Sequence, residues 1–422
     1  MSPPHVPNSA FFAFALCLGL AVTSWVARAS AADRADDGDE LEHTTKRELT
    51  VLPTVGGTSD IGLGGGYVVS WAKVGARVEP YWWRLESTGL FTFRKDESGK
   101  LGAYYVDDYL LVDFPNVIKQ RLGLKARLSF TREKALKFYG LGNAAQPDPE
   151  TPRREFDYTR NHPTLRLEGE GHFLRYGRLY WGAAYTYNWF DVEPNSLLAR
   201  TMRDGSPKER ELLGTPQSHG VATFMQGLGW DSRDDVTSPQ RGQFHDARLE
   251  LSPGTETKDF RYRFARLSGS ARFYVPLVPD TLSFAVRFVG DALFGEVPFY
   301  ELAKYQDSYA FGGSKGVRGV PGQRYHGKLK FFSNVELRSQ LLRFRAFGNS
   351  NTLGLAGFFD FGRLWADYSG SAELDGSEIG LKYGTGGGLR WAAGRSFVLR
   401  FDVAWSPDAD PVGAYLAAGH TF

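Results

Sequence analysis

The sequence predicts an all-β fold: a transmembrane antiparallel β-barrel of sixteen strands with one glycine-rich loop folded inward. Apolar and polar residues alternate with period two in many segments of about ten residues, the length that a tilted strand needs to cross a bilayer. Aromatic residues make up 14% of the 422 residues and glycine occurs 49 times, yet mean hydropathy is -0.34. A low mean is expected when only alternate residues meet lipid. A soluble β-sandwich or propeller is the competing fold, but it would not require the export signal described next.

Residues 1–31 are predicted to be a signal peptide. An apolar run from Ala10 to Val26 is followed by Ala29-Ser30-Ala31, which fits the small-residue cleavage pattern. A retained N-terminal helix is the alternative interpretation. Cys17 is the only cysteine and lies in the apolar run, so we expect a mature chain without disulfides or thiolate metal sites. Residues 32–48 are polar and rich in acidic residues, which predicts a short disordered leader.

The barrel is predicted to occupy residues 49–422, directly after the leader. Fifteen segments show the alternation, and a single bacterial chain normally closes with an even number of strands. We therefore expect Leu49–Val55 to be the first strand, although Pro53 disfavours it. The other predicted strands are Ile61–Val74, Tyr81–Arg94, Leu101–Asp113, Arg121–Lys134, Pro163–Arg175, Arg178–Val192, Gly220–Asp231, Arg241–Leu251, Phe260–Val275, Thr281–Phe294, Gly327–Leu342, Leu353–Trp365, Ile379–Trp391, Ser396–Trp405 and Val412–Phe422.

With sixteen strands, the connections separate by length into two groups at opposite ends of the barrel. Short periplasmic turns and long outer loops are typical of transmembrane barrels, so this separation supports the strand assignment. The short connections include Tyr176-Gly177, Pro276–Asp280 and Ala393–Arg395, and the long ones include Ala135–His162, Glu193–His219 and Gly295–His326.

The interior of the barrel is predicted to be polar. Lys and Arg total 50 while Asp and Glu total 48, and this near-neutral balance gives no indication of nucleic acid as a partner. Within one predicted strand, charged or polar residues share a phase and would line the lumen. They are Arg166, Glu168, Glu170 and His172. We interpret most of these residues as a solvated channel wall.

A glycine-rich stretch surrounds a single arginine, Arg318, between two predicted strands. Glycine tolerates positive φ and close backbone packing, so such a loop can fold tightly. The guanidinium offers a fixed fork of donors that matches carboxylates. We interpret the stretch as a loop inside the barrel with Arg318 paired to acidic groups on the wall; a solvated surface loop is the alternative. The loop glycines are Gly312, Gly313, Gly316, Gly319 and Gly322.

Six motifs follow one another in the second half of the sequence: 229–242, 316–319, 333–338, 359–362, 386–391 and 419–422. In this order and spacing they resemble the motifs of the BamA/TamA-like outer-membrane assembly barrels, also called the bacterial surface antigen family. The resemblance is best over residues 229–422. The family's loop motif is Val-Arg-Gly followed by an aromatic residue, and Val320 stands at that last place here.

The resemblance implies a barrel whose first and last strands pair imperfectly and whose loop arginine meets two wall carboxylates. By position these three residues are Arg318, Glu336 and Asp360. An arginine in a confined lumen needs paired acceptors, and lysine could not replace its bidentate fork. Most members of the family also have periplasmic POTRA modules. The residues before the predicted barrel leave no room for one, so the chain resembles the POTRA-less branch.

The last residues of the sequence also match the family's pattern. Gly419 to Phe422 is predicted to be the signal for insertion, recognised through edge-strand pairing by the cell's barrel-assembly machinery. The alternative is that Phe422 joins the aromatic girdle on the periplasmic side.

Catalytic and metal-binding motifs are not convincing in this sequence. Gly312 to Gly316 fits G-x-S-x-G, but that motif needs a strand–turn–helix context to present its serine. The eight histidines show no metal-binding spacing. We therefore expect no enzyme activity, no cofactor and no metal.

Two classes of function stay open. The first is an integral outer-membrane barrel of a Gram-negative bacterium that aids insertion or translocation of protein or lipid. The second is a passive pore or structural surface antigen without assembly activity. The expected partners are outer-membrane lipid, the barrel-assembly machinery during biogenesis, and unfolded outer-membrane proteins or lipids as clients.

Overall fold

The structure, a computed structural model, describes residues 46–75, 78–95, 99–118, 121–146, 148, 150–256, 261–306, 308–346, 349–393, 397–408 and 412–422. The predicted signal peptide, residues 1–31, and the leader up to residue 45 lie outside the described residues. Lys46, Arg47 and Glu48 belong to the first strand. The prediction of a disordered leader is therefore wrong for these residues, because they continue the pairing of that strand with the next.

Sixteen strands in the described part of the chain form a closed antiparallel barrel. The predicted fold class is confirmed, and the first strand contains Leu49–Val55 together with Pro53. The barrel strands are β1 (Lys46–Thr58), β2 (Gly62–Gly75), β3 (Val78–Lys95), β4 (Leu101–Phe114), β5 (Leu122–Lys137), β6 (Asp157–Phe173), β7 (Gly177–Val192), β8 (His219–Asp231), β9 (Gly242–Glu256), β10 (Arg261–Val278), β11 (Leu282–Glu296), β14 (Leu329–Ala346), β15 (Asn349–Trp365), β16 (Lys382–Ala393), β17 (Phe397–Trp405) and β18 (Gly413–Ala418).

Short elements occupy the long connections between these strands. A two-stranded hairpin of β12 (Lys304–Tyr305) and β13 (Ser308–Tyr309) lies between β11 and β14. Helices α1 (Leu197–Asp204) and α2 (Pro207–Leu213) follow β7, and α3 (Ala372–Asp375) follows β15. Within the described ranges, none of the helices has the length and apolar character that a membrane-crossing helix needs.

The two helices after β7 begin where local sequence favours a helix start. The side chain of Ser196 accepts a hydrogen bond from the backbone of Ala199, and Ser206 forms a reciprocal capping box with Glu209. Pro207 occupies the first turn of α2, where its missing N–H has no cost. These caps fix two short helices over the barrel mouth.

The period-two alternation places one face of each strand in the lumen and the other outside. In β11, Arg287 and Asp291 face inward and are buried, whereas Phe288 and Phe294 point outward and are 41% and 45% exposed. Successive side chains of a strand point to opposite faces, so one sequence supplies both a polar interior and an apolar exterior.

The four longest connections lie at one end of the barrel, which we call the loop end, and every connection at the other end, the turn end, has ten residues or fewer. The turns after β6 and β10 are three residues long, whereas the connection after β5 runs from 138 to 156, and that after β11 from 297 to 328. The predicted separation is confirmed, although the strands reach further into the long loops than expected. Buried apolar residues of these loops pack into one cluster at the loop end, including Phe138, Leu198 and Phe299.

The β1–β18 seam closes the barrel weakly. Among the described residues, β1 pairs with β2 at thirteen positions but with β18 at two, Gly57 with Leu416 and Thr58 with Tyr415. The prediction of a strand reaching Phe422 is wrong, because β18 ends at Ala418 and Gly419 has φ +79°, which turns the chain inward. We call Gly419–Phe422 the terminal segment.

Candidate functional site

The loop between β11 and β14 folds into the lumen and is held tightly upon itself. Gly312 donates its backbone N–H to the carbonyl of Val317 at 3.1 Å, and Val317 donates to Ala310 at 3.1 Å. Gly312 has φ +86°, and a Cβ there would lie 2.4 Å from the carbonyl oxygen of Pro321. Only glycine fits this position, so the sequence of the loop fixes a compact turn that presents Arg318.

Arg318 lies at the centre of a group of carboxylates that extend from the barrel wall. Its Nε donates to Asp360 Oδ2 at 2.7 Å and its Nη2 to Asp360 Oδ1 at 2.9 Å, a bidentate pair. Nη1 donates to Glu336 Oε1 at 2.6 Å and to Asp402 Oδ2 at 3.1 Å. We call Arg318, Glu336, Asp360 and Asp402 the clasp.

Three further arginines surround the clasp and hold its carboxylates in place. Arg338 Nε donates to Glu336 Oε2 at 2.7 Å, while Arg390 and Arg400 both donate to Asp402. Since β14, β15 and β17 each supply one carboxylate, the loop is tied to three separate strands of the wall. The arrangement couples the position of the loop to the shape of this side of the barrel.

The clasp is dry. Arg318, Glu336, Asp360 and Asp402 are all 0% exposed, and the guanidinium carbon of Arg318 lies 3.5 Å from the centre of the Phe358 ring. Burial alone would lower the pKa of Arg318, but Asp360 and Glu336 outweigh it, and the pKa is raised well above its ordinary value. The arginine therefore stays charged, and the expectation of a wet lumen is wrong at this place.

The structure brings together the three residues that the resemblance assigned to the clasp, Arg318, Glu336 and Asp360. It also adds Asp402, which the sequence interpretation missed. Asp402 shares the inward phase of β17 with Arg400, so alternation alone marked it as a lumen residue. Its contact with Arg318 depends on strand register, for which the sequence holds no short-range signal.

Glycines on both the loop and the wall allow the two backbones to approach closely. Gly319 has φ +91°, and its N–H donates to the hydroxyl of Tyr415 at 2.8 Å. On the wall, a Cβ at Gly384 would lie 1.8 Å from the carbonyl oxygen of Arg318, a contact that sequence reasoning also missed. Of the other predicted loop glycines, Gly316 lies against the backbone of Ala310 and Gly322 against the side chain of Asp60, while a Cβ at Gly313 would just touch the ring of Tyr309.

The terminal segment enters the same cluster from the turn end. Thr421 Oγ1 accepts from Arg318 Nη1 at 3.0 Å and also contacts Arg400. The backbone oxygen of Phe422 accepts from Arg338 Nη2 at 3.1 Å, and its ring packs against Tyr274. Phe422 is therefore inside the barrel and not in an outer aromatic girdle; its role as an insertion signal stays a prediction.

The opposite side of the lumen contains a cavity of about 660 Å³ between the loop and strands β4 to β10. Its wall has many hydroxyl groups and paired charges, such as Arg127 with Asp107 at 3.7 Å. The loop reaches the wall beside the cavity where the hydroxyl of Tyr309 donates to Glu133 at 2.6 Å and where that of Tyr158 donates to Gln323 at 3.0 Å. Among these hydroxyl groups are those of Ser129, Thr131, Thr164, Thr186 and Thr223 on the wall, and Ser308 and Ser314 of the loop add two more.

The arrangement supports binding and mechanical coupling better than catalysis. Ser314 lies in the loop and not between a strand and a helix, and its carbonyl accepts from Arg400 at 2.7 Å. No group of His, Cys, Asp or Glu among the described residues could hold a metal ion. The chemistry of this site is ion pairing between a loop and a wall.

Comparison with known proteins agrees with this architecture. A sequence profile described as the Omp85 superfamily domain matches residues 97–422. BamA from Haemophilus ducreyi lacking POTRA domains 1–3 is similar in structure, with a TM-score of 0.57, 15% identity, and coverage of 92% of this chain and 77% of that one. CdiB from Escherichia coli has a TM-score of 0.55 and 13% identity over 89% of this chain and 68% of its own. No curated protein sequence matches the chain significantly.

Proposed function

The chain belongs to the Omp85 superfamily, and from this premise we propose that it aids insertion or translocation of protein or lipid at the outer membrane of a Gram-negative bacterium. The proposal rests on one observation above all, the weak β1–β18 seam. A seam with two register pairs needs little free energy to open, whereas thirteen pairs fasten β1 to β2. Opening the seam would expose a strand edge that can pair with a client strand.

The outer surface supports the proposed location. Large apolar side chains on the outward phase of the strands are exposed, among them Leu128 at 56%, Leu165 at 49% and Phe224 at 55%. A continuous apolar exterior suits lipid and would be a liability in water. Fractionation of cells is expected to recover the protein in the outer membrane, with heat-modifiable migration on a gel. Recovery as a soluble periplasmic protein would contradict the proposal.

The clasp holds the strands on one side of the seam in place. It ties the loop to β14, β15 and β17, while Gly319 binds Tyr415 of β18. The wall on that side is therefore braced, so opening is expected at β1 and not between β14 and β17. This division suits a barrel that opens at one place and keeps its shape elsewhere.

A passive pore or structural antigen is the alternative function. The cavity of about 660 Å³ favours this alternative, because the cavity leaves polar space inside the barrel. The apolar cluster at the loop end argues against free conduction, since it packs residues of several loops across that mouth. Steady conductance of the purified protein in planar bilayers, with unchanged envelope composition in a deletion strain, would favour the pore.

A disulfide across the seam tests the proposal directly. The backbone N–H of Ser59, the residue after β1, donates to the carbonyl of Ala414 on β18 at 3.0 Å, so Ser59→Cys with Ala414→Cys places two thiols opposite each other across the seam. The deletion strain is expected to show altered outer-membrane protein composition. The paired variant should restore it only with a reducing agent present.

The matched control is a cysteine pair across the fully paired β1 and β2, Thr50→Cys with Ser70→Cys. This variant should restore the wild-type composition with or without reductant. Full activity of the oxidised Ser59/Ala414 variant would mean that the seam does not open during function.

The terminal segment is proposed to be recognised by the cell's barrel-assembly machinery before the barrel folds. Deleting Phe422 is expected to leave the protein degraded or trapped in the periplasm. Because Phe422 is buried in the folded barrel, its recognition would have to precede closure. Unchanged insertion of the shortened chain would mean that the signal lies elsewhere.

A further inference from the structure

Two cations with weak acceptors line the cavity, Arg160 on β6 and Lys304 on β12, and we call them the cation pair. Arg160 donates from Nε and Nη2 to the neutral side-chain oxygen of Asn188 at 2.9 and 2.7 Å, while its Nη1 lies 3.9 Å from Glu133. Within the described ranges, Lys304 has one hydrogen bond, a long one of 3.4 Å to Glu301. Because an ionised donor is best satisfied by an anion at about 2.7–2.9 Å, both side chains favour a further anionic acceptor.

The two carboxylates beside the cation pair are engaged by other donors. Glu133 accepts from the hydroxyl of Tyr309 at 2.6 Å, and its second oxygen lies 3.2 Å from Nε2 of His162. One oxygen of Glu301 lies 3.0 Å from Nη1 of Arg266. Neither carboxylate can move closer to the cation pair without losing a contact that it already makes. Since a charge held away from water needs an opposite charge, this part of the cavity favours an added anion.

An aromatic ring and hydroxyl groups surround the cation pair. The ring centre of Tyr300 lies 3.8 Å from the guanidinium carbon of Arg160 and 5.8 Å from Nζ of Lys304, so it holds both cations beside one face. Thr164 and Thr186, on neighbouring strands, line the same cavity and share a hydrogen bond of 2.9 Å. A hydroxyl group both donates and accepts, so this wall suits a ligand that has hydroxyl groups beside its anionic group.

The cavity is packed shut near the loop end and more exposed towards the turn end. Along the inward face of β6, the exposed fraction of the side chains rises from 3% at Arg160 to 32% at Arg166 and 36% at Glu168. Beside Arg160, Tyr300 belongs to the apolar cluster of the loop end. The volume of about 660 Å³ lies within the range of roughly 300–1,000 Å³ that is typical of small-molecule sites. A small ligand therefore has room in the cavity and a route to it from the turn end.

We propose that the cation pair binds the phosphate or carboxylate group of a small hydroxyl-rich molecule, which enters the cavity from the turn end. The anionic group accepts hydrogen bonds from Arg160 and Lys304, and the hydroxyl groups of the ligand bind those of the wall. Because Lys304 belongs to the loop and Arg160 to the wall, the bound anion also joins loop and wall on the side opposite the clasp. The site makes no use of the β1–β18 seam, so it can be tested separately from the proposed function.

Isothermal titration calorimetry of the purified full chain in detergent, at low ionic strength, tests the site with three sugars. Glucose 6-phosphate carries a phosphate group, glucuronate carries a carboxylate, and glucose is the neutral control. At least one of the two anionic sugars is expected to bind, and the tighter of them identifies the preferred anionic group. Glucose should bind much more weakly, because it offers nothing to the cation pair. Binding of glucose as tight as that of the anionic sugars, or no binding of either anion, would overturn the proposal.

Substitutions of lysine identify the cation pair as the place of binding. Lys304→Gln removes one charge and should weaken the tighter anionic sugar at least about tenfold, whereas Lys304→Arg keeps the charge and should retain most of the affinity. Lys125→Gln is the matched control, because Lys125 pairs with the inward-facing Asp113 but does not line the cavity. It should leave the affinity unchanged. Equal losses in Lys304→Gln and Lys125→Gln would mean that the general charge of the lumen attracts the anion, and would overturn the proposal.

A cavity-filling variant keeps the test independent of any folding defect in Lys304→Gln. Thr186→Phe adds a ring to the wall of the cavity and leaves every charge in place, so the anionic sugar should no longer bind. Heat-modifiable migration on a gel shows whether each variant is folded. Full affinity in folded Thr186→Phe would place the anion elsewhere on the protein and overturn the proposal. A harmless seam disulfide would instead overturn the proposed function and leave this site standing.

Discussion

The two sides of the lumen contain the same kinds of residues but use them differently. On the clasp side, Arg318 and Asp360 pair at 2.7 Å and both are 0% exposed. On the cavity side, Arg127 and Asp107 pair at 3.7 Å with 39% and 24% of their side chains exposed. An ion pair removed from water depends on every acceptor, whereas a solvated pair contributes little. The clasp therefore differs from the channel wall in its exclusion of water and not in the types of residue that it contains.

The path of the chain explains why the clasp forms on one side. The loop leaves β11 and returns to β14, so it lies nearest the strands that follow. On β16 of that wall, Gly384 lets the backbone of the loop approach, and Gly386 leaves room for the ring of Phe358. The cavity side presents hydroxyl groups and long charged side chains instead, and a polar cavity separates the wall from the loop there.

Of the substitutions that distinguish the two sides, Arg318→Ala is expected to lower the free energy of unfolding the most. The change leaves three buried carboxylates without their central cation, and removing one partner of a buried pair costs roughly 3–5 kcal/mol. We expect the free energy of unfolding, measured in urea after reconstitution into vesicles, to fall by this amount. Arg318→Lys should recover little of it, because a single ammonium cannot bridge three strands.

Limited proteolysis of intact cells provides the control for that experiment. The loop of the wild-type protein should resist cleavage after Arg318, since that residue is buried, and Arg318→Lys should become sensitive at the same place. Cleavage of the wild-type protein there would show that the loop is solvated, as in the surface-loop interpretation.

A wall glycine offers the next largest effect. In Gly384→Ala the new methyl group would lie 1.8 Å from the carbonyl oxygen of Arg318, so the loop must move. Overpacking of this kind costs roughly 1–3 kcal/mol. Gly357→Ala on β15 is the matched control, because a Cβ there meets nothing within 4 Å. Similar urea midpoints for the two variants would contradict close packing between loop and wall.

An effect that appears only as the pH is lowered is expected from His326 in the same loop. Burial lowers its pKa from 6.5 to about 3, with help from Lys330 and Arg324, and neither ring nitrogen has a partner among the described residues. The unfolded chain therefore binds the proton first, and stability falls as pH drops from 6.5 towards 3, by about 1.4 kcal/mol for each pH unit. His326→Leu should flatten the pH dependence of the urea midpoint in this window; an unchanged slope would assign it to other groups.

The smallest effect is expected on the cavity side. Arg127→Ala removes a partly solvated ion pair with Asp107, and such pairs contribute roughly 0–1 kcal/mol. The urea midpoint should therefore stay close to that of the wild-type protein. A loss as large as that of Arg318→Ala would remove the distinction between the two sides.

The barrel could be predicted from the sequence because alternation and turn length are local properties. The first strand was found by parity despite Pro53, and most strand ends differ from the prediction by four residues or fewer, although β6 begins six residues earlier and β9 ends five residues later. The contact of Arg318 with Asp402 joins residues 84 positions apart and depends on register, which alternation does not fix. The dryness of the clasp was also missed, because it results from the packing of Phe358 and the wall glycines around the guanidinium.

The end of the last strand was unpredictable for a different reason. Glycine within an alternating pattern fits either a continued strand or a turn, and Gly419 takes the turn. The choice depends on contacts far along the chain, because the arginines that bind Thr421 and Phe422 come from the loop and from β14 and β17. The sequence therefore predicted a functional role for the terminal segment but not its position in the lumen.

Two double-mutant cycles measured side by side test the central claim, that exclusion of water makes the ion pairs of the clasp stabilise the barrel. One cycle combines Arg318→Ala with Asp360→Ala, and the other combines Arg127→Ala with Asp107→Ala, each read from the urea midpoint. We predict a coupling energy of about 2–3 kcal/mol for the clasp and roughly 0.2–1 kcal/mol for the cavity pair. Additive effects in the clasp, or equal coupling on both sides, would contradict the claim.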